Sequence, residues 1–123
     1  MQRVVIRGTG HYVPQRRLTN EDLTRMVDTT EEWILSRTGI SERRIAAPEE
    51  ATSDLALAAA RAALEDAGMA AQDLDLILVA TVSGDYPFPA VACLLHHQLG
   101  CLPRTAAFDV SATCVGFLTA LQV

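Results

Sequence analysis

Hydrophobic positions in this chain fall into short blocks whose period switches between that of a strand and that of a helix. Arg3 to Gly10 is a β-branched run closed by Gly8-Thr9-Gly10, which predicts a strand ending in a tight turn. Thr19-Asn20-Glu21-Asp22 has the polar signature of a helix start, and Leu23, Met26 and Val27 follow at helical spacing. A second start, Thr29-Thr30-Glu31-Glu32, leads into a helix carrying Trp33, Ile34 and Arg37, with Gly39 where a C-terminal cap belongs. Thr52-Ser53-Asp54 opens the clearest helix, rich in alanine through Ala67 and stopped by Gly68. Its small residues predict close packing against another helix or a sheet. Leu76 to Val82 is a continuous apolar run of strand length, as expected of a strand covered on both faces. A loop over Ser83-Gly84-Asp85-Tyr86-Pro87-Phe88-Pro89, a helix from Ala90 to Leu99 and a short strand from Thr105 to Asp109 complete the order.

Strands alternating with helices predict an α/β chain with a largely parallel sheet. From Ser111 onward the pattern is a helix apolar nearly all round, carrying Cys114, Val115, Phe117, Leu118, Ala120, Leu121 and Val123. Such a helix belongs in the middle of a protein. With no cap before Val123, the natural chain is expected to continue.

Composition narrows the function classes. Half of the 123 residues are hydrophobic and 20% are charged, an ordinary soluble balance. A net charge of -5 leaves no basic stripe for nucleic acid. The cations are bunched at Arg16-Arg17, Arg37 and Arg43-Arg44, a local basic rim that would suit a small anionic ligand or an acidic partner. Cys93, Cys101 and Cys114 are odd in number and lack C-x-x-C spacing, against a disulfide framework or a metal site. No run approaches the ~18 apolar residues of a membrane span, and the start is too short for a signal peptide. A reducing, cytoplasmic setting is expected.

The strongest local signal is Phe108-Asp109-Val110-Ser111-Ala112-Thr113-Cys114-Val115-Gly116-Phe117: strand, sharp turn, cysteine, apolar helix. A cysteine at a helix N-terminus sits where the dipole and free N–H groups favour thiolate over thiol. A thiolate can attack a thioester and carry the acyl group as a new thioester. The Cys114 amide could serve as one oxyanion donor, and Gly116 permits close approach of substrate or backbone. Spacing alone leaves open the plainer alternative that Cys114 is a small buried hydrophobe.

Other motifs stand in order around it: Gly8-Thr9-Gly10 with Tyr12-Val13-Pro14, Val27-Asp28-Thr29-Thr30-Glu31-Glu32-Trp33-Ile34 with Arg37-Thr38-Gly39-Ile40, Ala46-Ala47-Pro48-Glu49-Glu50, Phe88-Pro89 and Ala107-Phe108-Asp109-Val110. Together they resemble β-ketoacyl-acyl-carrier-protein synthase III, of the thiolase superfamily, along essentially the whole chain. The resemblance implies an α/β, thiolase-like fold of which residues 1–123 are the first, incomplete half, with a mostly parallel mixed sheet and covering helices. It implies Cys114 as the acyl-accepting nucleophile. Trp33 would stack on the adenine of coenzyme A, with Arg37 at the tunnel mouth and Thr29 in the same neighbourhood. Phe88 would reach across a homodimer interface to wall the acyl pocket. Residue chemistry agrees, since Trp33 and Arg37 lie four residues apart on one helical face. A core tryptophan with a solvated arginine remains the bland reading of that pair.

The implied reaction takes acyl coenzyme A as substrate, acylates Cys114 and condenses the acyl group with malonyl-acyl-carrier protein. It needs neither a metal nor a redox cofactor. The family's histidine and asparagine have no counterpart among His11, His96 and His97, and are expected in a following half. Two rivals share the fold: an acyltransferase making an ester or amide from the same cysteine, and a non-catalytic partner subunit.

Overall fold

Capping decides where the helices begin. Thr19 Oγ1 accepts from the Asp22 N–H (3.1 Å) while Asp22 accepts from the Thr19 N–H (3.0 Å), closing a capping box. Helix α1, Asn20–Thr24, follows from it. Thr30 Oγ1 accepts from the Trp33 N–H (3.1 Å) to start α2, Glu31–Thr38, which ends on Gly39 at φ 70°. These helices lie between strands β1, Arg16–Thr19, and β2, Glu42–Ile45, which pair antiparallel with Arg17 opposite Arg44. The computed structural model describes residues 4–123. It divides into two units, and these elements make up the one spanning Val13–Glu50.

The other unit joins residues 4–12 to Ala51–Val123. Its elements are α3, Thr52–Ala67; β3, Leu76–Ala80; α4, Val91–Leu99; β4, Ala106–Val110; and α5, Gly116–Gln122. Helix α4 is the crossover between β3 and β4, which pair parallel from Leu76 opposite Ala106 to Ala80 opposite Val110. Ile77, Val91, Ala92 and Leu95 are buried, so the core lies where α4 covers this pair.

Several expectations change. The strand predicted for Arg3 to Gly10 begins outside the described residues, and residues 4–10 form no strand. They pair with no other strand; instead they run close along α3. A Cβ at Gly10 would lie 2.3 Å from the Ala63 amide nitrogen, and one at Gly8 2.6 Å from the Ala63 carbonyl. Those glycines serve close approach rather than a turn, and the alanines of α3 are the other half of that contact. Helix α1 stops before Met26 and Val27, which are exposed. Strand β3 ends at Ala80 rather than Val82, and Leu76 is exposed, so it is not covered on both faces in this chain. The helix expected from Ser111 begins only at Gly116.

Three of the rim arginines, Arg17, Arg43 and Arg44, have partners within this unit. Arg17 and Arg44 both pair with Glu42 (3.6 and 3.7 Å), Arg43 donates to Asn20 Oδ1, and Arg44 donates to the Pro14 carbonyl (3.0 Å). They brace the β1–β2 ribbon, which the period-2 signal missed because its strands are charged and only four residues each.

Candidate active site

Strand β4 ends at Val110, and the chain then turns sharply. Thr113 has φ 45°, the left-handed region that a β-branched residue rarely enters. A single 3-10 turn, Thr113–Val115, follows and holds Cys114, which is exposed. Cys114 therefore sits one turn ahead of α5 rather than on its first residue, a correction to the helix-start position. The turn is held by bonds from the Val115 N–H to Ala112 O (3.2 Å) and from the Gly116 N–H to Thr113 O. Neither uses the amide of Cys114. Gly116 is buried against Ala80, so the turn docks at the ends of the two parallel strands.

A cleft of about 400 Å³ opens beside this turn, lined by Thr81, Val82, Gly84, Tyr86, Asp109 and Ser111 among others. Two acids tie down the elements around it, and of these Asp109 lines it. Asp109 accepts from the Val91 and Ala92 amides (both 2.8 Å), capping α4, whose own N-cap Ala90 offers no side-chain acceptor. Asp85 accepts from the Ser53 N–H (2.9 Å) and hydroxyl (2.6 Å) at the start of α3. Phe88 follows in the same loop and is 86% exposed, so it is not an internal packing aromatic of this chain.

In the Val13–Glu50 unit, Asp28, Thr29, Thr30 and Trp33 line a smaller cleft of about 210 Å³. Trp33 is 58% exposed, so its indole is not buried within this chain. The hydroxyl oxygen of Thr29 is buried without a hydrogen-bond partner, an uncommon state for a polar atom. Thr29 and Trp33 thus share one cleft. Arg37, on the last turn of α2, is exposed and makes no ion pair among the described residues.

No protein-family model matches the chain. It is 60% identical over 111 residues to the β-ketoacyl-[acyl-carrier-protein] synthase III of Geobacillus kaustophilus, covering 90% of this chain and 36% of that protein. The crystal structure of 3-oxoacyl-[acyl-carrier-protein] synthase III from Aquifex aeolicus superposes with a TM-score of 0.88 at 49% identity, over 94% of this chain and 37% of that one. The priming β-ketosynthase of the R1128 polyketide pathway gives a TM-score of 0.87 at 41% identity, over 94% and 34%. By sequence and by fold, the chain is similar to the synthase III enzymes. It spans a little over a third of the length of these relatives.

The fold is α/β, as the pattern predicts, and thiolase-like, as the resemblance implies. His96 Nε2 lies 3.0 Å from the Leu102 carbonyl and braces the turn after α4. Burial pushes the Cys101 thiol above its ordinary pKa, which makes it a poor nucleophile near neutrality. Sequence reasoning missed Asp85 and the capping role of Asp109. The signal for Asp109 was the absence of any capping side chain at Ala90, which obliges an acceptor to come from elsewhere. Among the described residues no cluster of His, Cys, Asp and Glu could hold a metal, and no helix is long and apolar enough to cross a membrane.

Proposed function

We propose that Cys114 takes an acyl group from acyl coenzyme A, in a longer synthase III enzyme of which this chain is the first portion. The sulfur, as thiolate, attacks the thioester carbonyl; the new carbon–sulfur bond forms as the coenzyme A thiolate leaves. Condensation with malonyl-acyl-carrier protein then releases carbon dioxide and yields the β-ketoacyl product. One observation carries the reading: Cys114 is exposed on a strained turn, beside an open cleft, at the carboxyl ends of two parallel strands. Ligands of open α/β sheets collect at such ends.

The cleft of Thr29 and Trp33 is the adenine site in this proposal. An exposed indole offers the stacking face, and the unpartnered Thr29 hydroxyl offers a hydrogen bond to a ring nitrogen. Arg37 is free to meet a phosphate of the same nucleotide. Phe88 is free to meet a second copy of the chain, and a homodimer is part of the proposal. Neither a metal nor a redox group enters these steps. Three free thiols suit a reducing cytoplasm.

Incubating the complete enzyme with radiolabelled acyl coenzyme A, followed by peptide mapping, tests it. Label on Cys114, lost in Cys114→Ala, is expected. Label on Cys93 or Cys101, or undiminished label in the variant, overturns it. Carbon dioxide release on adding malonyl-acyl-carrier protein separates condensation from plain transfer to an alcohol or amine.

A further inference from the structure

The loop of residues 81–90 has no regular structure, yet it forms one wall of the cleft beside the Cys114 turn. Its position depends on a few ties. Thr52 Oγ1 donates to the Ser83 carbonyl, and the Ser83 N–H donates to Thr81 Oγ1 (3.1 Å). Gly84 lies so close to α4 that a Cβ there would be 3.2 Å from Val91 Cγ2. Asp85 supplies the only two-bonded tie among these. Both of its oxygens accept from Ser53, which is 4% exposed, at the N-terminus of the sixteen-residue helix α3.

From this we infer that the Asp85–Ser53 clasp is a specificity device: it fixes the width of the cleft and so limits the acyl-chain length delivered to Cys114. Asp85 is a positioning residue, since it acts through the loop. The geometry gives the direction. Because Gly84 already lies close to Val91, release of the clasp should let Tyr86 move away from Asp109 and Ser111 rather than toward them. The cleft widens, and longer chains gain relative to shorter ones. Charge is not required. An amide at position 85 can still accept from the Ser53 N–H and donate to its hydroxyl.

This inference rests on the acyl-transfer reading above. The complete enzyme and its Asp85→Ala, Asp85→Asn and Ser53→Ala variants are given acetyl, butyryl, hexanoyl and octanoyl coenzyme A in turn. Self-acylation gives kcat and KM separately for each donor. In Asp85→Ala the hexanoyl-to-acetyl ratio of kcat/KM should rise about tenfold, the low end of what one methylene is worth in an apolar pocket. Asp85→Asn should keep the parent ratio, and Ser53→Ala, which loses one of the two bonds, should move it partway. An equal loss with every donor in Asp85→Ala, or a changed ratio in Asp85→Asn, overturns the clasp. Should Asp85→Ala fail to fold, an unchanged ratio in Ser53→Ala overturns it equally. A parent enzyme that no donor acylates removes the acyl-transfer reading itself, whereas an active parent with an unmoved ratio removes only the clasp.

Discussion

Gly116 rests against Ala80: a Cβ added at position 116 would lie 3.3 Å from the Ala80 Cβ. This contact seats the Cys114 turn on the carboxyl end of β3. Gly116→Ala meets two opposed effects. Alanine gains up to about 1 kcal/mol of helix propensity at the start of α5, while Ala80 must yield by a few tenths of an ångström. Near-parent stability is expected. Gly116→Val adds branched bulk with nowhere to go and should cost about 1–3 kcal/mol. Acylation of Cys114 should fall in the valine variant even below its melting range. A valine variant that labels and melts like the parent would show that Ala80 does not seat the turn.

The close run of residues 8–10 along α3 gives a sharper contrast between glycines. At Gly10 a Cβ would meet the Ala63 nitrogen at 2.3 Å and the Ala59 carbonyl at 2.4 Å, both backbone atoms of a helix that cannot step aside. At Gly39 a Cβ would meet nothing, although φ is 70°. Gly39→Ala should therefore cost only the left-handed strain of about 1–2 kcal/mol. Gly10→Ala should cost more than that, because the whole segment must lift. Urea titration of the two variants checks the order. A smaller loss at position 10 than at 39 would mean that the segment does not lie on α3.

These two glycine sites also mark what could be read in advance. Capping residues predicted α2 and α3 nearly to the residue, because Thr30, Gly39 and Gly68 act locally, and periodicity placed α4 with its start one residue early. Gly8 and Gly10 could not be read so, since what they approach is α3, far away in sequence. The same holds for Asp85 and Asp109: each caps a helix from another part of the chain, and spacing carries no trace of that. The arginine-rich strands β1 and β2 escaped notice because their stability comes from pairing and from Glu42, not from an apolar stripe. Within the candidate site, Cys114 and Trp33 are exposed and Trp33 shares a cleft with Thr29, a placement that residue spacing alone did not give. The strain at Thr113 is a backbone property that residue identity does not announce.

For the cleft proposed to take the nucleotide, Trp33→Ala should weaken acyl coenzyme A binding by about 1–3 kcal/mol, the range for one aromatic–base stack. Thr29→Val keeps the shape and removes the hydroxyl. Because that hydroxyl is buried and unpartnered in the free protein, its loss should leave stability unchanged or slightly raised while binding weakens. Calorimetry with acyl coenzyme A, beside self-acylation by a pantetheine thioester that lacks adenine, separates binding from folding. Equal losses with both donors would make Trp33 a packing residue instead.

The apolar face of α5 carries the last prediction. Val115, Phe117, Leu118 and Leu121 are 57%, 69%, 63% and 62% exposed, and they follow one another within seven positions. Soluble monomers rarely present so contiguous an apolar patch, because each side chain left in water forgoes about 1.5–3 kcal/mol of burial. Small domains hold only about 5–15 kcal/mol of net stability, so a deficit of several such side chains is decisive. The 123-residue chain made alone should self-associate at micromolar concentration and melt without a sharp transition. Phe117→Asp with Leu121→Asp places two charges one helical turn apart on that face, at positions already in solvent. Association should drop without a loss of helix signal. Size-exclusion chromatography and circular dichroism of both proteins decide it. A parent chain that elutes as a monodisperse monomer and melts cooperatively would mean that α5 needs no cover.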